Sequence, residues 1–272
     1  MIKLFKKSKT LALSIITAIF TIVPETAFGK YKLLSHTSGE TNIVLARVLT
    51  FIAVLVLSMI INALYLFFRK CIHIKGNNYS IQIEYGDLFE MDDCKKVITF
   101  DECFTTKVGD LPSEVKPTSI CGQYLEKNPM QDMQRLIDNA QLKPAKTRSK
   151  YQSRARYDSG KLVPNGDYLL MAFAKLDENG LGKFSSCDEY LECLSLLWKE
   201  IDKYYGQKDV SISVLGSGLT RIGDTSFTQQ ELLDIIIGSY KLSPHKIKFP
   251  YKLHIVCKKS DNFSLNKIGE YI

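Results

Sequence analysis

The chain lacks what a disulfide framework or a zinc centre requires. Its seven cysteines (Cys71, Cys94, Cys103, Cys121, Cys187, Cys193 and Cys257) are odd in number, form no Cys-x-x-Cys pair and have no histidine at ligand spacing. They read as reduced thiols of a cytosolic compartment, with no metal. There is no internal repeat. No glycine loop ends in Gly-Lys-Ser/Thr and none follows Gly-x-Gly-x-x-Gly, so neither the Walker loop nor the dinucleotide fingerprint is present. The net charge of +7 is gathered in short clusters rather than on one helical face. In the cluster Lys143 to Arg156 (Lys143, Lys146, Arg148, Lys150, Arg154, Arg156), Tyr151 is the one aromatic residue between the charges, with Tyr157 just after them. That pattern fits a solvated connector or a lipid-facing loop, not a nucleic-acid module.

What the chain does have is two apolar runs at its start. Ile43 to Phe68 carries no charge from Val48 onward, and about 20 apolar residues suffice to span a bilayer. Thr10 to Val23 is shorter, preceded by Lys3, Lys6, Lys7 and Lys9 and stopped by Pro24 and Glu25. It fits either a cleaved signal peptide ending near Ala27-Phe28-Gly29 or a retained helix, and retention gives the simpler membrane hairpin. The expected organisation is a hairpin over 1–70 (spans about 10–28 and 44–68), a linker over 71–78 and a cytosolic domain over 79–272. Lysines before the first run, and Arg69, Lys70 and Lys75 after the second, place both ends in the cytosol, with two lysines offset by Glu40 in the segment Lys30 to Asn42. The expected location is therefore the inner cell membrane, multi-pass. Ser58 and Asn62 share a helical face; either they serve an oligomer contact, or Asn62 bonds its own backbone or meets water near the cytosolic end.

The remaining 200 or so residues are organised around Val210 to Gly223. The apolar, β-branched run Val210-Ser211-Ile212-Ser213-Val214 predicts a buried strand that empties into Leu215-Gly216-Ser217-Gly218-Leu219-Thr220-Arg221. A helix follows, opened by Thr228 and Glu231 as a capping box. Strand, Gly-x-Gly loop and helix in that order either bare backbone amides to a phosphate or form a plain turn.

Further strands are predicted at Tyr79–Tyr85, Lys96–Phe100, Asp167–Ala174 and Lys252–Cys257. Helices are predicted at Met130–Gln141 and, from a second capping box of Ser186 and Glu189, through Tyr190, Leu194, Leu197, Trp198 and Ile201 to Tyr205. Alternation of strands and helices indicates an α/β fold with a largely parallel, mixed sheet flanked by helices. Ligands of such sheets bind beyond the strands' carboxyl ends. There the sequence places Asp87, Asp101 and the 216–221 loop, with Lys175 at the end of the central strand a further candidate. Arg221 pairs either with a phosphate or with an internal carboxylate such as Asp224. For Asp101 and Glu102 both a ligand contact and a solvated turn are open.

From Tyr79 to Lys258 the chain resembles a macro domain, the fold that binds ADP-ribose. The resemblance is carried by Gly86-Asp87-Leu88, by Val97 to Phe104 and by Leu215 to Ile222, in that order. With the apolar runs in front, and with Ser119-Ile120-Cys121-Gly122, it is most similar to the membrane-associated macro-domain branch of Thoeris anti-phage systems. The resemblance implies ligand contacts at Asp87, Leu88, Asp101, Glu102, Ser119, Gly122, Lys175 and the loop Leu215, Gly216, Ser217, Gly218, Leu219, Thr220 and Arg221. It implies an ADP-ribose-derived signal, such as histidine-ADP-ribose, made by a TIR-domain partner that consumes NAD. It further implies a homo-oligomer, membrane disruption and no cofactor. Macro domains that hydrolyse ADP-ribosyl-glutamate carry an Asp where this chain has Thr220, and a hydroxyl is no general base at neutral pH. A sensor without turnover is expected; a tethered hydrolase and a passive reader of ADP-ribosylated molecules are the alternatives.

Overall fold

A computed structural model describes residues 2–28, 39–129 and 132–268, in two units, Met1–Arg69 and Lys70–Ile272. Most of the connecting segment that bears on orientation, 29–38, and Met130 lie outside the described residues.

The first unit holds α1 (Ile2–Ile22), the short α2 (Glu25–Phe28) and α3 (Gly39–Phe67). At 1.5 Å per residue, α3 is about 44 Å long, more than the hydrocarbon core of a bilayer. Its flanks expose Ile52, Leu57, Ile61 and Leu64, a surface at odds with water. Among the described residues α3 is the one helix long and apolar enough to cross a membrane; the apolar part of α1 is only Ala12–Ile22. The expected span over 10–28 is broken at Val23-Pro24 because proline cannot continue the hydrogen-bond ladder. α1 packs along α3 and buries Ala12 and Ile16, while Ala46 is buried on α3. The Arg47 guanidinium lies 5.6 Å from the Phe20 ring and 5.7 Å from Phe28. Asn62 donates to Ser58 O at 2.9 Å, and Ser58 Oγ to Leu55 O at 2.8 Å.

The second unit is built on a seven-stranded sheet. Its strands are β1 (Cys71–Gly76), β2 (Tyr79–Tyr85), β3 (Cys94–Asp101), β4 (Leu162–Asn165), β5 (Tyr168–Ala174), β7 (Asp209–Ser213) and β9 (Leu253–Cys257), in the order β1-β2-β9-β7-β3-β5-β4. The inner five are parallel, and β1 and β4 close the edges antiparallel. A separate ribbon joins β6 (Lys183–Phe184) to β8 (Arg221–Ile222). The organising strand, β7, is the fourth of the seven.

Period-two alternation splits the core into two layers. Ile81, Ile83, Val210, Ile212, Leu253 and Ile255 face one layer, with α6 (Cys187–Tyr204) and α7 (Gln229–Leu242). Ile98, Phe100, Leu170, Ala172 and Val256 face the other, with α4 (Ile120–Lys127) and α5 (Met133–Asn139). Trp198 Nε1 donates to Ser239 Oγ at 3.1 Å and so ties α6 to α7. The reciprocal capping box of Thr228 and Glu231 is present. At α6 only half of the expected box forms: Ser186 accepts from Glu189 N, but the Glu189 carboxylate turns to Ser185 N and Lys175.

Three expectations need correction. Residues 71–78 are not a linker but β1 and its turn, since Ile72 and Ile74 alternate against β2. β4 escaped notice because Pro164 argues against a strand; a proline is tolerated there because β4 is an edge. α5 starts at Met133, where Asp132 caps it by accepting from Arg135 N at 2.9 Å.

Candidate functional site

All five parallel strands end on the same edge of the sheet, and their following loops converge there: Gly86-Asp87 after β2, Lys258 after β9, Val214–Thr220 after β7, Glu102–Thr105 after β3 and Lys175 after β5.

The loop after β7 is held from behind. Gly216 has φ +85°, a conformation that a side chain resists, and an added Cβ would meet Ile222 Cδ1 at 3.3 Å. Ser217 N and Oγ both donate to Val214 O (3.2 and 2.6 Å), and Tyr190 OH donates to Leu215 O at 2.8 Å. Arg221 N donates to Gly182 O, and Gly223 N to Phe184 O. Between these anchors the N–H groups of Gly218, Leu219 and Thr220 have no acceptor among the described residues. Nothing lies within 4 Å of an added Gly218 Cβ, so the loop is open to solvent on that side. Leu219 is 76% exposed at the tip. Asp224 pairs with Lys183 at 3.1 Å; the internal partner suggested for Arg221 is thus already taken, and the exposed Arg221 guanidinium has no ion pair among the described residues. Three bare amides beside an unpaired guanidinium are groups that could hold an anion.

The loop after β3 is finished in the opposite way. Asp101 Oδ1 accepts from Cys103 N at 2.7 Å and Thr105 N at 3.2 Å. Burial, with Asp101 beside it, pushes the Cys103 thiol up to about 11, so it stays protonated at neutral pH. Glu102 is 2% exposed, and that excludes a solvated turn. Its Oε1 accepts from Ser149 Oγ (2.5 Å) and Leu176 N (3.2 Å), and its Oε2 pairs with Arg156 at 3.2 Å. Tyr157 N reaches Glu102 O at 2.7 Å, so the basic loop is not the solvated connector expected but a flap fastened to this carboxylate.

The remaining candidates sit around these two loops. Asp87 is exposed and caps a one-turn 3-10 helix, Leu88–Glu90, by accepting from Phe89 N at 2.9 Å; Leu88 is buried beneath it. Lys175 pairs with Glu189 at 2.8 Å. Burial alone would raise the Glu189 carboxyl, but the Lys175 ammonium and Ser185 N–H outweigh it and hold it below the usual value. Ser119 caps α4 by accepting from Gly122 N at 3.0 Å. Gly122 has no room for a Cβ, which would lie 2.2 Å from Lys116 O; it lets the helix approach its own leading loop. A cleft of about 510 Å³ on this flank is lined by Thr106, Val108, Pro117, Gly122, Leu125, Glu126 and Pro129. It shares only Gly122 with the candidate residues, and its one charge is a carboxylate, a poor match to an anion. Thr220 Oγ1 lies 3.8 Å from the position of a Gly182 Cβ, which sets it between the glycine loop and the β6–β8 ribbon.

The family model described as the macro domain of Thoeris protein ThsA matches residues 81–258. The chain belongs to this ThsA macro-domain family. A Thoeris protein ThsA from Bacillus amyloliquefaciens (strain Y2) is 30% identical over 224 residues, covering 78% of this chain and 74% of that protein. Among solved structures, a mutant Oceanobacillus iheyensis macrodomain with ADPR is 10% identical, covers 70% of this chain and 91% of its own, and has a TM-score of 0.45. The macrodomain of Thermus aquaticus DarG is 12% identical, covers 66% and 98%, and has a TM-score of 0.39. Likeness at that level carries no weight for the site.

Within the ThsA macro domain, three residues matter that sequence reasoning missed. Tyr190, which reads as a core position of α6, also clamps the glycine loop from a position 25 residues earlier. Ser149 and Arg156 lie in a loop that reads as solvated, yet they supply two of the three side-chain hydrogen bonds that Glu102 accepts. A Tyr at a helical core position and a Ser among lysines carry no local signal of such remote partners.

Proposed function

We propose that the chain is a membrane-anchored anti-phage effector whose macro domain binds an ADP-ribose-derived signal without cleaving it. The observation that carries this reading is the set of bare amides at Gly218, Leu219 and Thr220 beside Arg221, in a ThsA macro domain. In this reading the diphosphate lies on the 215–221 loop and Arg221, and Asp87 receives the adenine amino group. Asp101 and Lys175 border the distal ribose, while Glu102, Ser119 and Gly122 shape the wall. The signal is the product of a TIR-domain enzyme that consumes NAD, with histidine-ADP-ribose the leading candidate. α3 crosses the inner membrane, α1 forms the second, shorter leg of a hairpin, the macro domain is cytoplasmic, and ligand binding shifts a homo-oligomer to a membrane-disrupting state. Such a shift can be no larger than the ligand's differential affinity for the two states.

Sensing is favoured over hydrolysis by Thr220, which brings no carboxylate to the loop, and by Asp101, whose Oδ1 is held by two amides of its own turn. Calorimetry of the full-length chain in detergent with ADP-ribose, histidine-ADP-ribose and NAD, followed by mass spectrometry of the ligands, tests both points. Tight binding of one derivative, recovered intact, is expected. Cleavage would establish the hydrolase, and absence of binding to all three would end the sensor reading.

A further inference from the structure

We propose that the ligand edge of the macro domain docks on an anionic phospholipid surface through an ordered cationic flap, residues 143–156. The proposal rests on the reading that α3 spans a bilayer.

The flap carries six cations and no acidic residue. Two of the six hold it in place: Arg156 pairs with the buried Glu102, and Arg154 donates to Thr105 Oγ1 at 3.0 Å. Ser149, 3% exposed, adds its bond to Glu102, and two backbone rungs, Ala145 N to Arg156 O and Ser149 N to Arg154 O, close the loop on itself. The other four, Lys143, Lys146, Arg148 and Lys150, are exposed, and their side chains have no partner among the described residues. A charge run in a plain solvated loop has no such framework. Here the ordering cost of presenting four cations is already met by the fold.

Position selects the partner. Tyr157 N bonds Glu102 O and Gly160 N bonds Ala172 O, so the flap leaves from the strands' carboxyl edge, beside β3 and β5. The chain arriving from α3 joins the same edge: Tyr85 N bonds Lys70 O, and Cys71 pairs with Glu84. Tether and flap therefore sit on one row of strands, four to five strands apart, about 19 to 24 Å at the usual spacing. Loops after β3, β5 and β7 expose Leu111, Leu181 and Leu219. Exposed leucines with unpaired cations, on the edge where a membrane tether arrives, match a headgroup layer, where each basic side chain contributes about 1 kcal/mol. The opposite edge also exposes lysines, Lys241 and Lys248, but stands a strand length from the tether and serves as the internal control.

The test is amine labelling of the full-length chain in nanodiscs of phosphatidylcholine alone or mixed with phosphatidylglycerol, read residue by residue by mass spectrometry. Expected is a fall of about threefold or more at Lys143, Lys146 and Lys150 on the anionic discs. Labelling should recover near 1 M salt, where screening reaches about 3 Å, with Lys241 and Lys248 unchanged. Equal labelling on both discs, or equal protection of both edges, overturns the proposal. So does protection that appears only when an RNA or DNA oligonucleotide is added, which would assign the flap to nucleic acid. Alkaline carbonate extraction of the same membranes separates the failures: release of the chain overturns the spanning reading and the docking with it, whereas retention with unprotected lysines overturns the docking alone.

Discussion

The loops after β7 and β3 leave the same edge of one sheet, and they are finished in opposite ways. After β3 the polar groups are turned inward: Asp101 collects its own loop's amides, and Glu102 accepts from Ser149, Leu176 and Arg156. After β7 the scaffold is just as firm, but amides at Gly218, Leu219 and Thr220 and the Arg221 guanidinium are left without partners. Buried polar groups are normally satisfied, so the hydrogen bonds of the first loop are accounted for by folding. The second keeps its unpaired groups at the surface, where an anion can reach them. In the proposed function, stability and recognition are thus divided between neighbouring loops.

The largest effect that tests this division is Glu102→Ala. Removing one partner of a buried, hydrogen-bonded pair costs about 3 kcal/mol or more, so a clear loss of stability in chemical denaturation is expected, with the flap amides of 143–157 opening first in hydrogen exchange. A variant of native stability would show that Glu102 is no structural hub. Next, Arg221→Gln should weaken ligand affinity by about 2 kcal/mol, the scale of a hydrogen bond to a charged group, and leave the unfolding midpoint unchanged. Gly218→Ala is subtler: with open space around it, the methyl should leave folding intact but obstruct the amides, weakening binding about tenfold, or 1.4 kcal/mol. Loss of stability in either loop variant would erase the contrast between the two loops. The smallest effect concerns Lys175–Glu189. Glu189 is lowered in the folded state, so its contribution is complete above the ordinary value of 4.5 and is lost as pH falls through the depressed folded value. Being partly exposed, the pair should contribute under about 1 kcal/mol. Lys175→Gln should flatten the stability profile below pH 4.5 by that amount, and an unaltered profile would remove the pair from the account.

Much of the fold was legible in the sequence where period and cap agree. Val210 and Ile212 alternate with serines, and Thr228 with Glu231 writes a helix start, so β7 and α7 stand where expected. Edge strands were not legible. β1 directly follows an apolar helix, and β4 contains Pro164; such strands are specified by pairing partners more than by their own residues. At the site, the glycine loop could be read because its chemistry is backbone and local. Glu102 could be placed but not understood, since Ser149 and Arg156 lie 47 and 54 residues away. Lys175 read as a ligand contact, and its pairing with Glu189 follows from the α6 cap that the same glutamate was expected to close on its own helix.

The most direct test is calorimetric titration of the full-length chain with histidine-ADP-ribose and ADP-ribose, in the wild-type and Gly218→Ala forms, each checked for native unfolding. The account predicts tight binding of an intact ADP-ribose derivative by the wild type and about tenfold weaker binding by the equally stable variant. Binding that is unchanged by Gly218→Ala, or absent from the wild type, would contradict the claim that the bare amides of this loop are the anion site.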